Sequence, residues 1–409
     1  MPERYRIAIV TRTFPPRSGG IASAHYNLFK LLESQHDVRA FAFDDDNSSP
    51  SRDVVRRKSS PALNRLATWL ASRYVRHYDK SAPAVYFRGI ASVAHASWSL
   101  TRPLRQFDPD IVIVPDNFVP ALALGMPKNA SVIWMSHNNY KRFEVQPLVH
   151  KRSWMDVHMA HRMELRALRK AHFVICPSLY MKRVFEETYP VQLPIEVIYN
   201  FVHKSTLDKV EPADLAGKLH VDKEYRFIYL PSAGMAMKGK RYAFEIIRRL
   251  GAGRKVGFFI SGPVDADLRR ELKELEGSIP VYAPGHLAYS ENLSHAAACD
   301  FAISPTLIEN LSNAIVEGLM LGLPFVTFDT GGNREIVLSG TNGFVVPYLD
   351  VEAMIERATQ LLGDFELLLR QRSLARAPLE ALLDEDAVRN RYNSIFERLR
   401  AAANFRSAR

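Results

Sequence analysis

The chain has 409 residues, 47% of them apolar and 24% charged, with a formal net charge of +10 and two cysteines. That length is too great for one ordinary core and predicts two domains, while the composition excludes a chain dominated by disorder. No run of about 18 uninterrupted apolar residues occurs, so no membrane span is predicted; the longest candidate, Ile111 to Met126, is broken by Pro115, Asp116, Asn117 and Pro120.

In chain order, the first residues lack the apolar core of a secretory signal and run into Arg6–Val10, a short apolar stretch that predicts a buried strand. A loop with Pro15, Pro16, Gly19 and Gly20 follows, then a helix from about Ile21 with Leu28, Leu31 and Leu32 at helical spacing. Val38–Phe43 predicts a second strand. Asp44–Pro61 is polar and rich in Ser and Pro, and predicts a loop. A helix over 62–80 carries Leu63, Leu66, Leu70 and Tyr74 on one face, read as a core-packing face with a solvated basic face opposite. Further strands are expected at 110–114, 130–135, 172–176 and 195–198.

After Asn200 the alternation restarts. Strands are expected at Arg226–Leu230, Lys255–Ile260, Pro280–Tyr282, Phe301–Ile303, Phe325–Phe328 and Gly343–Val346, with helices between them, and Glu385–Ala402 predicts a final amphipathic helix. The fold class is α/β: two consecutive doubly wound, Rossmann-like domains, 1–205 and 206–384, with 385–409 as a terminal helix. Ligands of such sheets bind at the carboxyl ends of strands, and the cleft between two such domains is the default site. Cys176 and Cys299 adjoin apolar runs and read as buried, unpaired thiols of a reducing compartment.

Charge is uneven. Between Ser51 and Arg105 eleven Lys/Arg face two Asp, a local charge of +9. Such a surface suits an anionic partner. Trp69 and Trp98 are amphipathic anchors, and with the basic side chains they make an anionic membrane surface a candidate partner. Nucleic acid is not expected, because no recognition motif accompanies the charge.

The segment 301–317 carries the chemistry. Phe301-Ala-Ile-Ser leads into a loop with Glu309, and a helix is expected to start at Ser312 or Asn313 and to contain Glu317. A helix start offers unpaired amides and a positive dipole end to a phosphate, and carboxylates accept hydrogen bonds from sugar hydroxyls. Two acids eight residues apart would, in isolation, be solvated charges.

Their context is more specific. Pro305…Glu309-Asn310-Leu311-Ser312-Asn313-Ala-Ile-Val-Glu317, then Gly322, Pro324, Gly331-Gly332-Asn-Arg-Glu335 and Asn342-Gly343, resembles the donor-site signature of glycosyltransferase family 4. The likeness is strongest over about 225–350. It implies a GT-B fold, with an acceptor-binding first domain, a nucleotide-sugar-binding second domain and a terminal helix crossing back to the first. It further implies a retaining, hexosyltransferase-type enzyme without metal or cofactor. Glu309 would contact the transferred sugar, Glu317 the ribose, and the amides of 310–313 the diphosphate and sugar hydroxyls. A glycan or lipid-linked acceptor fits, as does a cytoplasmic enzyme, peripheral at the inner face of the plasma membrane, in cell-surface polysaccharide or glycolipid synthesis.

Lys238, in Met237-Lys238-Gly239-Lys240, stands where the family neutralises the leaving diphosphate. The family's usual Arg, five or six residues earlier, is replaced here by Ser232 and Ala233, leaving Lys240 or Arg241 as substitutes. Gly19-Gly20 would admit an anion close to the backbone, and the family's loop there touches acceptor or donor phosphate. His137, at the end of Val132–Ser136, occupies a position where the family has a His near the reacting sugar; His286 and Asn200 fit less decisively. No histidine pair has metal-ligand spacing and no Asp-x-Asp occurs, so no metal is predicted. Alternatives are a nucleotide-sugar epimerase or a glycoside phosphorylase on the same fold, and a sugar-nucleotide binding protein without catalysis.

Overall fold

The computed structural model describes residues 4–15, 20–43, 51–145 and 151–407. The chain divides into two compact units, Met1–Asn200 together with Glu385–Arg409, and Phe201–Asp384.

Among its described residues the first unit holds seven strands: β1 (Arg6–Thr11), β2 (Asp37–Ala42), β3 (Val54–Arg56), β4 (Ile111–Pro115), β5 (Ser131–Met135), β6 (Phe173–Cys176) and β7 (Ile195–Val197). All pair in parallel, in the order β3-β2-β1-β4-β5-β6-β7. The central strands are buried along their whole length, because helices cover both faces of a parallel sheet; their sequences are therefore apolar runs and do not alternate. The sequence order reverses between β1 and β4, so the carboxyl ends of those strands border the switch point where doubly wound sheets bind ligands.

β3 corrects the expectation of a loop from Asp44 to Pro61. Residues 44–50 lie outside the described residues, but Val54–Arg56 pairs with Ala40–Ala42. Three half-buried edge residues give no periodicity to read. Arg56 secures the edge by donating to the carbonyls of Phe14 (3.2 Å) and Pro15 (2.9 Å).

A second correction concerns the helix Pro61–Tyr78. Leu63, Leu66, Leu70 and Tyr74, expected in the core, are exposed, and the buried residues are Ala71 and Val75. Val75 packs with Ala84 and Met155, with Phe87 and Met159 against them. Small side chains let this helix lie close to its neighbours, which turns the large ones outward.

The terminal helix, Glu385–Ser407, groups with the first unit. It buries Tyr392, Ile395, Phe396 and Leu399, each contributing about 1.5–3 kcal/mol. Phe396 meets Tyr5 edge-on, Arg391 donates to Glu196 (3.0 Å), and Asn393 Oδ1 lies 2.9 Å from His36 Nε2.

The second unit repeats the plan with β8 (Arg226–Leu230), β9 (Val256–Ser261), β10 (Val281–Gly285), β11 (Phe301–Ser304), β12 (Phe325–Phe328) and β13 (Gly343–Val346). The parallel order is β10-β9-β8-β11-β12-β13, with the switch between β8 and β11. The helix Lys240–Gly251 shows how burial sets register: Ala243, Phe244, Ile246, Ile247 and Leu250 form its inner face, and its charged side chains stay outside. Cys176 and Cys299 are buried and unpaired, and burial pushes both thiols up. Among the described residues no helix is long and apolar enough to cross a membrane.

Candidate functional site

In the second unit the chemistry gathers where β8 and β11 end. The loop after β8 contains the short 3-10 turn Ala236–Lys238, and the loop after β11 contains Glu309. Lys238 Nζ is ion-paired to Glu309 Oε2 across 71 residues of sequence. Backbone holds the two loops together: Leu307 N donates to Met237 O (3.0 Å), and Tyr348 donates its hydroxyl to Leu307 O (2.9 Å).

Two glycines make this approach feasible. Gly239 has φ +81°, and a Cβ there would overlap the Pro305 carbonyl. Gly331 has φ +60°, and its Cβ would overlap the Glu309 carbonyl; its neighbour Gly332 donates to Asn310 O at 2.7 Å. These positions need glycine for the left-handed backbone and for space.

Ser312 caps the helix Asn313–Met320, its hydroxyl accepting from Ile315 N at 3.4 Å. Asn310 N donates to Glu309 Oε1 (3.2 Å), and Leu311 N to the side-chain oxygen of Asn310. Leu311 and Ser312 are buried, whereas Glu309, Asn310 and Asn313 are half-buried. Glu317 lies one helical face on, accepting from the Tyr289 hydroxyl at 3.0 Å. Burial pushes its carboxyl up to about 7 against that hydrogen bond, and burial together with Glu317 raises the Tyr289 hydroxyl. Glu317 is thus a half-buried acceptor poised to titrate near neutrality.

Lys240 follows Gly239 and pairs with Asp265 Oδ1 at 2.9 Å. Asp265 also caps the helix Ala266–Leu275 through Leu268 N (2.7 Å), and that bond with Lys240 holds its carboxyl below the usual range. Arg241 is exposed, 5.8 Å from the Tyr242 ring. Ala233 is buried and Ser232 takes φ +53°, its amide donating to Ser261 Oγ at 3.2 Å. Neither position supplies a cation to the loop. His286 lines a pocket with Pro263, Val264 and Arg269.

In the first unit His137 follows β5 and is buried, with His25 of the helix Gly20–Glu33 edge-on at 5.9 Å. Burial pushes His137 down to about 4; burial and the His137 charge push His25 down to about 3, so both rings are neutral at physiological pH. Gly20 opens the first helix, Gly19 lies outside the described residues, and Asn200 is half-buried.

Two buried acids that sequence reasoning passed over hold the turn carrying His137. Asp116, directly after β4, accepts at Oδ2 from the amides of Asn138 (2.6 Å) and Asn139 (3.1 Å). Glu164 accepts from Tyr140 N at 3.2 Å. Asn139 itself is left-handed, φ +54°. Burial, reinforced by Glu164, pushes Asp116 up to about 7; burial pushes Glu164 up to about 8. The readable signal for Asp116 was an acid closing the apolar run Ile111–Pro115. Among the described residues no three His, Cys, Asp or Glu side chains gather so as to hold a metal ion.

Comparison with known proteins fits both units. The family model described as Glycosyltransferase Family 4 matches residues 18–205, and that described as Glycosyl transferases group 1 matches 226–364. The alpha-D-kanosaminyltransferase of Streptomyces kanamyceticus is 28% identical over 232 residues, 53% of this chain and 58% of that protein, so the match spans little more than half of the relative. Sucrose-phosphate synthase from Thermosynechococcus elongatus superposes with a TM-score of 0.76 at 15% identity, covering 98% of this chain and 100% of that one. The Anabaena protein HepE, solved in complex with UDP-glucose, superposes with a TM-score of 0.70 at 15% identity, covering 96% and 100%. These likenesses, with two doubly wound parallel sheets, make the fold GT-B.

Proposed function

Because the chain belongs to glycosyltransferase family 4, we propose that it moves a sugar from a nucleotide-activated donor to an acceptor hydroxyl, with the donor held by the second unit. One observation carries the reading: Lys238 and Glu309 pair directly beside the Ser312-capped helix start, with Glu317 behind it. A cation and a carboxylate in adjoining loops, helix-terminal amides and a second carboxylate on the helix support the reading, because a diphosphate, a sugar and a ribose require such groups.

In that role the donor diphosphate replaces the Glu309 carboxylate on Lys238 and lies at the amides of 310–313. Glu309, so released, accepts from hydroxyls of the transferred sugar, and Glu317 from the ribose. As the sugar–oxygen bond breaks, negative charge grows on the leaving diphosphate, and Lys238 stabilises it. No side chain is assigned as a nucleophile; the diphosphate oxygen takes the acceptor's proton, which implies retention. Lys240, tied to Asp265, contributes positive potential near the diphosphate. In the first unit, assigned to the acceptor, neutral His137 is a hydrogen-bond partner for a sugar hydroxyl, and Gly20, opening the first helix, is assigned to acceptor or donor phosphate. No metal is assigned a role.

We assign a hexosyl group, a glycan or lipid-linked acceptor in cell-surface polysaccharide or glycolipid synthesis, and a cytoplasmic place at the inner face of the plasma membrane. The kanosaminyltransferase relative and the UDP-glucose-bound neighbour support a sugar nucleotide as donor. The test is incubation with a panel of nucleotide sugars and glycan acceptors, followed by product analysis. A new glycosidic bond of the donor's anomeric configuration is expected. Epimerised donor or sugar 1-phosphate as the sole product would replace transfer with epimerase or phosphorylase chemistry, and donor binding without any turnover would leave a binding protein.

A further inference from the structure

The helix Pro61–Tyr78 is built the wrong way round for a soluble surface. Its buried side chains are Ala71 and Val75, whereas Leu63, Leu66, Trp69 and Leu70 are each 47–57% exposed. At about 100° per residue those four fall within an arc of about 120° on the outward side. Tyr74 borders that arc and is also exposed. A contiguous row of large apolar residues on the outside of a chain marks a contact surface.

Charge decides what it contacts. The helix carries the exposed Arg65, Arg73 and Arg76 and no acidic residue, within the 51–105 segment of net charge +9. Arg73 lies 5.6 Å from the Trp69 ring, so a cation and an interfacial aromatic share one spot. A second copy of the chain would bring the same arginines against themselves at a two-fold interface. A nucleic-acid backbone would leave the leucine row unused. An anionic bilayer meets both demands at once: the leucines and Trp69 enter the acyl boundary, and the arginines reach lipid phosphates at the same depth.

We propose that the outward face of Pro61–Tyr78 docks this protein on anionic membranes, with Leu63, Leu66, Trp69 and Leu70 as the inserted side chains. This does not rest on the proposed sugar transfer. The face belongs to the first unit and the donor residues to the second, and docking is read with no donor present.

The experiment is co-sedimentation of the full chain with vesicles of phosphatidylcholine alone, or with phosphatidylglycerol added. Binding to the anionic vesicles is expected, weakening as salt rises. A triple variant, Leu66→Ser with Trp69→Ser and Leu70→Ser, is expected to lose at least about tenfold in partitioning. Reversal of Arg65, Arg73 and Arg76 to Glu is expected to lose on the order of a hundredfold. Because these residues are exposed, both variants should melt with the parent chain. Lipids brominated on the acyl chain should quench Trp fluorescence, and Trp69→Phe should remove most of that quenching while still binding. A parent chain left in the supernatant with anionic vesicles at low salt overturns the proposal. So does unchanged binding by the leucine variant, equal salt-insensitive binding to neutral vesicles, or a concentration-dependent dimer abolished by the same substitutions.

Discussion

Replacing Glu317 by Gln should make the protein more stable at alkaline pH and a poorer binder of its donor. Burial pushes the carboxyl from its ordinary 4.5 to about 7, so the folded chain holds that proton more tightly than the unfolded chain. Stability is therefore lost as pH rises from 4.5 to 7, and the full loss is felt above 7. Each pH unit between those two values costs about 1.4 kcal/mol, so the loss at pH 8 is about 3 kcal/mol at most, or about half that after allowing for the side chain's partial exposure. At pH 5 it is under about 1 kcal/mol. The amide keeps an acceptor for the Tyr289 hydroxyl, now at 3.0 Å, but carries no charge to desolvate. Thermal unfolding of parent and variant at pH 5 and 8 reads the difference directly: the variant should gain about 3–10 °C at pH 8 and little at pH 5. Titration with nucleoside diphosphates and nucleotide sugars should show weaker binding by the variant. A variant less stable than the parent at pH 8, or a difference independent of pH, would refute the claim that Glu317 is a charge buried for function.

Other expectations follow from the same geometry. Lys238→Ala should cut transfer by about 10²–10³-fold, the cost of removing one preorganised group from a developing anion, as read in kcat, and should abolish stabilisation by nucleoside diphosphate. Gly239→Ala forces a side chain onto the Pro305 carbonyl at φ +81°. It should cost at least about 1–3 kcal/mol in denaturant unfolding and weaken nucleotide binding, because Lys238 is displaced from Glu309. Asp116→Ala removes the acceptor of the Asn138 and Asn139 amides. It should cost about 1–3 kcal/mol and lower kcat with donor affinity unchanged, and Asp116→Asn, which keeps one acceptor oxygen, should recover part of both.

Much of the architecture was legible because a buried parallel sheet writes itself as apolar runs, as in Ile111–Pro115 and Phe301–Ser304, both buried throughout. What escaped reading was local exception. Val54–Arg56 is too short for any period. In Pro61–Tyr78 the apolar positions were visible, but the rule that the larger side chains go inside pointed to the wrong face, since close packing there used Ala71 and Val75. In the site, Glu309 and Glu317 were legible as part of a signature, whereas the union of Lys238 with Glu309 depends on two loops that only the sheet order brings together. Asp116 and Glu164 were missed for a related reason: an acid is read as a surface charge until its backbone partners are seen.

The most direct test of the donor site is release of nucleoside diphosphate from a nucleotide sugar, followed in the parent chain and in Lys238→Ala and Glu309→Gln under saturating acceptor. Turnover by the parent is expected, with a loss of about 100-fold or more in each variant and the fold intact by thermal melting. A donor turned over at the parental rate by both variants would contradict it, because sugar transfer would then not depend on the Lys238–Glu309 pair.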